Sequence, residues 1–302
     1  MVRLIPWIFV LLFAGCAQSP ERVAVNSANA LLDEGRVQSA LDTVENSLRQ
    51  HPDSAPLLRI HVVLLLRQDQ LERAAAALQH VPAGEPIIAE ILRHRDRIVR
   101  ENGAKLISDQ PNANDFHEIV RATDDSDPVV RRYCARALGQ LGDPDALKPL
   151  FRLLSDDNWF VRAEATSALG KIGDARAIGW IAQLLADPDG YVRYSATRAL
   201  YDLATQSSRS SLLRAFELAE GQQQFAIAIA LAKLHDPAAL ASLAGAVGSK
   251  DAETRRLAAQ ALGECGLLAG TNALEVLLKD PDPAVREQAE AAISRIKTSG
   301  KR

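Results

Sequence analysis

The sequence predicts an all-α fold, an elongated α-solenoid of stacked helix-turn-helix repeats. One column of residues recurs with a step of 31 positions, and a constant period of this size indicates a stacked array. The members of the column are Arg131, Arg162, Arg193, Gln224, Arg255 and Arg286. No strand pattern interrupts the helical spacing, and the composition of 47% hydrophobic but only 5% aromatic residues favours a core of Ala and Leu.

Start and stop signals bound the first helix of each repeat. The position four residues before the Arg column is occupied by Asp127, Asn158, Asp189, Glu220, Asp251 and Asp282. Asp and Asn side chains accept hydrogen bonds from the free amides of a first turn, so this column is predicted to hold the N-caps. Gly142, Gly173 and Gly266 follow the helices and are predicted to end them in the left-handed conformation.

Apolar residues follow the Arg column at helical spacing, as Ala165, Ala168 and Leu169 do after Arg162. Most are small, so neighbouring helices can approach closely. A second apolar face, such as Leu150 with its neighbours at helical spacing, predicts a second helix in each unit. No unit can bury both faces alone, and stacking of units is expected to do so.

These residues resemble HEAT-like repeats of the short class seen in phycobilisome (bilin) lyase subunits. The resemblance covers about residue 115 to the C-terminus, and Arg100 extends the frame backwards as a degenerate leading unit. We therefore assign residues 87–302 to a HEAT-like array. The unit around Gln224 lacks both the Arg and the Leu-Gly pair of the other units.

Residues 16–86 have a different period and resemble two tetratricopeptide repeats. Ala40 and Ala74 occupy matching positions 34 residues apart. Asp69 stands where the first copy has Gly35, so the second turn is less well specified by the sequence.

Residues 1–15 have the features of an export signal. Arg3 precedes an apolar run of about ten residues that is too short to span a bilayer, and Cys16 follows small residues. This end is similar to a bacterial lipobox, which implies cleavage before Cys16 and its lipidation; Ala17 rather than Asp implies the outer membrane, facing the periplasm. An ordinary secretory signal is the alternative. The net charge of −3 offers no basic excess for nucleic acid.

The sequence predicts no catalytic, cofactor-binding or metal-binding residues. His117-Glu118 is similar to the His-Glu pairs of HEAT-repeat iron hydroxylases, but the pair occurs once. Cys134 and Cys265 lie in units four apart, too distant for a disulfide, and both are predicted to be buried.

The Arg column has two interpretations. It could form a track for an anionic partner, or each Arg could bridge to a carboxylate of its own or the next unit, for example in the column of Asp127, Asp189 and Asp251. Similar families favour the structural interpretation.

The few aromatic residues cluster at the turns that enter two adjacent units. Trp159, Phe160, Tyr191 and Tyr194 are candidate protein-binding residues, although they could simply cap the edges of the repeats. We predict a non-catalytic, membrane-anchored scaffold that binds protein partners in the periplasm or envelope through its second-helix face. The alternative is a cofactor-handling or enzymatic HEAT-repeat protein, similar to a bilin lyase or a metal-dependent hydroxylase.

Overall fold

The computed structural model of the chain describes residues 19–299, and all eighteen of its longer regular elements in that range are α-helices. The predicted all-α solenoid fold is thus confirmed. The chain divides into two compact units, one up to Asn102 and one from Gly103. The boundary predicted between residues 86 and 87 stays a prediction. The predicted signal segment 1–15 and Cys16 lie outside the described residues.

The first unit consists of helix pairs joined by tight turns. Its helices are α1 (Pro20–Asp33), α2 (Val37–Leu48), α3 (Ala55–Arg67), α4 (Leu71–Leu78), α5 (Ile87–Leu92) and α6 (Arg97–Asp109), the last of which runs past Asn102. Gly35 turns α1 into α2 with a φ of 76°, and Asp69 turns α3 into α4 with a φ of 57°. The two turns, 34 residues apart, share the left-handed conformation even though the second must impose it on a side chain.

The second unit alternates longer and shorter helices. Its helices are α7 (Phe116–Ala122), α8 (Pro128–Leu141), α9 (Leu147–Leu153), α10 (Trp159–Ile172), α11 (Ile178–Gln183), α12 (Gly190–Leu203), α13 (Arg209–Leu218), α14 (Gly221–Lys233), α15 (Ala239–Ala246), α16 (Ala252–Cys265), α17 (Thr271–Leu277) and α18 (Pro283–Ser299). The even-numbered helices from α8 onwards are the first helices of the repeats, and the odd-numbered ones are the second helices. Each first helix packs on the next one along the chain.

The predicted caps form in the regular units. Asn158 accepts a hydrogen bond from the Phe160 amide, and Asp127, Asp189, Asp251 and Asp282 cap their helices in the same way. Gly142, Gly173 and Gly266 end α8, α10 and α16 with φ values of 68°, 79° and 70°. Glu220 makes no capping hydrogen bond, so its place in the predicted column does not carry the function of the column.

Close helix packing depends on glycine as well as on alanine. A Cβ atom added to Gly139 on α8 would lie 2.6 Å from the Cα of Ala168 on α10. Equivalent atoms on Gly170 and Gly263 would lie 3.1 Å from the Cα of Ala199 and 2.8 Å from that of Ala292. The backbones of successive first helices therefore meet where glycine removes the side chain.

Within residues 19–299, no helix combines the length and the apolar character needed to cross a bilayer.

Candidate protein-binding surface

Each regular repeat is joined to the next by an Arg–Asp bridge, which we call a clasp. Nε and Nη2 of Arg162 donate to the two carboxylate oxygens of Asp187, at 2.7 and 2.9 Å. Nη1 of the same Arg162 donates to the backbone carbonyl oxygens of Asp156 and Asp157, at 2.8 and 3.1 Å. One guanidinium thus fixes the turn of its own repeat and holds the turn of the next.

The clasp recurs between Arg131 and Asp156 and between Arg255 and Asp280. The structural interpretation of the Arg column is therefore correct for these three residues. The expected partners were wrong: the acids that accept lie two positions before the N-cap column. The N-cap carboxylates of residues such as Asp189 are directed to helix amides instead.

Hydrogen bonding sets the charge state of the clasps. The hydrogen bond to Asp187 raises the pKa of the Arg162 guanidinium. The hydrogen bond from Arg255 lowers the pKa of Asp280. Burial alone raises the pKa of Asp187, but the hydrogen bonds from Arg162 and from the Asp189 amide outweigh it, so that pKa lies below its ordinary value.

The series of clasps is interrupted in the middle of the second unit. Arg193 keeps the two carbonyl contacts of its column, to Asp187 and Pro188 at 2.8 and 2.9 Å. The position that would supply its carboxylate holds Leu218, whose surface is 82% exposed. In the next repeat, Gln224 replaces the Arg and Ser249 replaces the Asp.

The interrupted region is connected at the opposite ends of the first helices. Lys233 at the end of α14 donates to the carbonyl of Tyr201 on α12 at 2.8 Å, and its Nζ lies 4.6 Å from the centre of the Tyr201 ring. The Tyr201 hydroxyl donates to Glu264 on α16 at 3.4 Å. The Nδ1 atom of His235 lies 3.1 Å from the Cys265 carbonyl oxygen. These contacts join the C-terminal ends of three first helices, whereas the clasps join N-terminal ends.

The four predicted binding residues form one surface cluster, which we call the aromatic patch. Trp159 stacks on Phe160 with ring centres 3.6 Å apart, and it meets Tyr191 edge-on at 5.7 Å. Tyr194 extends the row, 6.2 Å from Tyr191. Phe160, Tyr191 and Tyr194 are 43%, 56% and 59% exposed, while Trp159 is half-buried. The structure therefore brings all four together and leaves most of their ring area accessible.

Cationic side chains border the patch on α8. The Arg132 guanidinium carbon lies 5.4 Å from the Phe160 ring centre and 4.5 Å from that of Tyr133. The patch lies on the first helices α10 and α12, so the expectation that binding residues use the second-helix face is wrong. Trp180 is the exposed aromatic residue of second helix α11, where it stacks on Phe151 at 5.4 Å.

Two elements of this surface escaped the sequence analysis. The acids of the clasps recur 31 residues apart at positions 156 and 187, a period that could have identified them. The open position at Leu218 could have been found in the same column, as the one apolar residue among acids and Ser249.

Both internal cysteines are free and buried, as two small core residues are expected to be. Burial raises the pKa of each thiol. Among the residues that the structure describes, no three or more His, Cys, Asp or Glu side chains form a group that could hold a metal ion.

Solved structures share the fold of the chain at low sequence identity. An engineered protein is 21% identical over 93% of this chain and 86% of its own, with a TM-score of 0.52. The complex of CpcE and CpcF of phycocyanin lyase from Nostoc sp. PCC7120 is 20% identical over 72% of this chain and 97% of its own, with a TM-score of 0.41. Human deoxyhypusine hydroxylase is 21% identical over 75% of this chain and 90% of its own, with a TM-score of 0.32. No curated protein matches the sequence.

The family of the chain is shown by its repeats. The HEAT-repeat model matches residues 117–201, 179–263 and 246–301, which together make up more than half of the chain. These ranges contain the clasps, the aromatic patch and the interrupted region described above. The chain therefore belongs to the HEAT-repeat family.

Proposed function

We propose that this chain is a non-catalytic scaffold that binds a protein partner through the aromatic patch. The observation that carries the proposal is the row of stacked, exposed rings that two successive first helices contribute to one surface. Tyr and Trp are enriched at the centres of protein interfaces, because a large ring buries much area and loses little conformational entropy.

The packing of the patch prepares it for binding. Trp159 is fixed by Phe160 on one side and by Tyr191 on the other, so a partner would meet rings that are already ordered. The exposed edge of Phe160 is next to Arg132, which can donate hydrogen bonds to a partner at the border of the apolar area.

Photo-crosslinking in intact cells tests the proposal. A photoreactive residue at position 194 should capture a discrete envelope protein, and the double variant Trp159→Ala/Tyr191→Ala should reduce capture at least tenfold, since central aromatic residues often contribute about 2 kcal/mol or more each. Trp180→Ala is the matched control, because it removes an exposed ring of a second helix. Equal capture by the double variant and by the control would contradict the proposal.

We further propose that a lipid on Cys16 anchors the scaffold to the outer membrane, facing the periplasm. The support is the sequence of residues 1–17 alone, namely the short apolar run, the small residues before the cysteine and Ala17 after it. Metabolic labelling with a fatty-acid analogue should mark the wild-type chain and leave Cys16→Ser unlabelled. Labelling of the variant would remove Cys16 as the attachment site.

The N-terminal helix pairs are proposed to be tetratricopeptide-like repeats that provide a second protein-binding surface. Their support is the pair of left-handed turns at Gly35 and Asp69. A chain lacking the aromatic patch residues but retaining a partner crosslinked from α2 would assign a separate partner to these repeats.

The alternative function, a cofactor-handling or enzymatic HEAT-repeat protein, has an independent test. Purified protein from native cells would be analysed for metal content and for absorbance from a bound chromophore. A stoichiometric metal ion or chromophore would support this alternative, and its retention in the Trp159→Ala/Tyr191→Ala variant would place it outside the aromatic patch.

A further inference from the structure

Arg193 differs from its clasped counterparts in having half of its guanidinium unused. Its Nη1 donates to two backbone carbonyls, as that of Arg162 does. Among the described residues, none accepts a hydrogen bond from its Nε or Nη2, which in Arg162 engage Asp187. The guanidinium is therefore held in the clasp orientation without the carboxylate that completes a clasp.

The surroundings of Arg193 leave this edge accessible. Gly190 precedes it by one turn, where the equivalent residue on α10 is Trp159, and a Cβ atom at Gly190 would come within 3.5 Å of Nη2 of Arg193. The helices that follow are joined to α12 through Tyr201 and Lys233, at the far end. Tyr194, the next residue on α12, belongs to the aromatic patch.

We propose that Arg193 binds an aspartate or glutamate side chain of the protein partner, which takes the place of the missing acid of the clasp. The inference rests on the proposed function and makes it more specific: the partner presents an acidic residue next to an apolar or aromatic one. The carboxylate pairs with Nε and Nη2 of Arg193, and the apolar residue packs on Tyr191 and Tyr194.

The electrostatics favour a directed pair over a general attraction to anions. Leu218 borders a groove of about 280 Å³ that Arg176 and Arg214 also line, which supplies positive charge. Glu217 and Glu220 flank Leu218 in the sequence, so the region carries no uniform excess of one sign. Recognition therefore depends on the planar fork of the guanidinium, which matches a carboxylate with two parallel hydrogen bonds.

The acids near Arg193 are already engaged elsewhere. Asp187 accepts from Arg162 through both oxygens, and Asp189 accepts from the first amides of α12. Neither carboxylate is left over for Nε or Nη2 of Arg193. A carboxylate from a partner would thus meet no competing intramolecular acceptor.

The experiment uses the full chain and a pair of probe peptides, acetyl-Asp-Phe-Leu-amide and its Asn analogue. The Nε–H signals of the arginines are followed by NMR during titration. The Asp peptide should shift the Arg193 signal saturably and bind about tenfold more tightly than the Asn peptide, as expected for a charge-assisted pair at a partly exposed site. The Arg162 signal is the internal reference, because its acceptors are occupied.

Three variants separate binding from folding. Arg193→Gln should abolish the preference for the Asp peptide, while Arg198→Gln, an exposed Arg on the same helix, should leave it unchanged. Leu218→Asp supplies an internal carboxylate and should also weaken binding of the Asp peptide. Because this third variant retains Arg193, its loss of binding would not come from loss of the carbonyl contacts.

The outcomes distinguish this inference from the proposed function. Peptides that bind through Trp159 and Tyr191 but show no difference between Asp and Asn would overturn the role of Arg193 and leave the aromatic patch intact. No saturable shift of the Arg193 signal with the Asp peptide would also overturn that role. Photo-crosslinking that remains sensitive to the patch residues would then still support the scaffold.

Discussion

The regular helices α8–α12 and the irregular helices α13–α15 belong to one repeat array but are held together at opposite ends. In the regular region, Arg131 and Arg162 join the N-terminal ends of repeats, and glycines allow backbone contact near the C-terminal ends. In the irregular region, Lys233 and Tyr201 join C-terminal ends, and the N-terminal ends carry no clasp. Period alone therefore does not determine how repeats adhere, and the end left unbridged is the one available to a partner.

The largest expected effect compares two arginines of the same column. Arg162→Gln leaves the buried Asp187 carboxylate without its cation and should lower the free energy of unfolding by about 3 kcal/mol. Arg193→Gln, which breaks no ion pair, should cost about 1 kcal/mol. Urea denaturation measures both, and equal losses would contradict the distinction between clasped and open arginines.

A smaller effect is expected from filling the helix contact in the regular region. Gly139→Ala forces α8 and α10 apart and should destabilise the chain by about 2 kcal/mol, despite the better helix propensity of Ala. Gly179→Ala is the matched control, since a Cβ atom on Gly179 would meet nothing within 4 Å. This control should stabilise the chain by about 0.5–1 kcal/mol.

The contacts of the irregular region should each contribute less. Lys233→Met removes the ammonium group that Tyr201 receives at its carbonyl and ring, and it should cost about 1 kcal/mol. Hydrogen exchange should show the loss at the C-terminal ends of α12 and α14. Unchanged exchange there, with faster exchange in α8 and α10 instead, would contradict this assignment of the contact.

The smallest expected effect is a dependence on acid. The pKa values of Asp187 and Asp280 are lowered in the folded state, so their contribution is present above the ordinary aspartate pKa of about 4 and is lost as pH falls through the lower, folded values. The urea midpoint should fall between pH 6 and pH 3. Asp187→Asn removes one titrating group, so its midpoint should vary less with pH than that of the wild-type chain.

Local sequence signals predicted much of the fold. The columns containing Asn158 and Gly173 fixed the beginning and end of α10, because each acts within its own turn. The clasp partners were less predictable, since Asp156 and Asn158 both lie in the turn and only the folded geometry decides which of them faces Arg131. The bridge from Tyr201 to Glu264 joins residues 63 apart, outside the reach of any single repeat.

The site was predicted in composition but not in orientation. Trp159 and Tyr191 stand out because aromatic residues are rare in this chain, and their spacing near 31 residues predicts that they are neighbours. Which face of the array they occupy depends on the packing of first against second helices. That packing follows from the whole core and leaves no local signal at either residue.

The interrupted series of clasps has a mechanical consequence. From Arg131 to Asp187, each guanidinium holds the turn that carries the acid of the preceding clasp, so these repeats are linked in series by directed ionic bonds. Beyond Arg193 the series stops, and α13–α15 depend on apolar contacts and a few C-terminal links. A pulling force applied along the array would therefore be resisted first by its weakest segment, and extension would begin by opening α13–α15 while α8–α12 stayed closed.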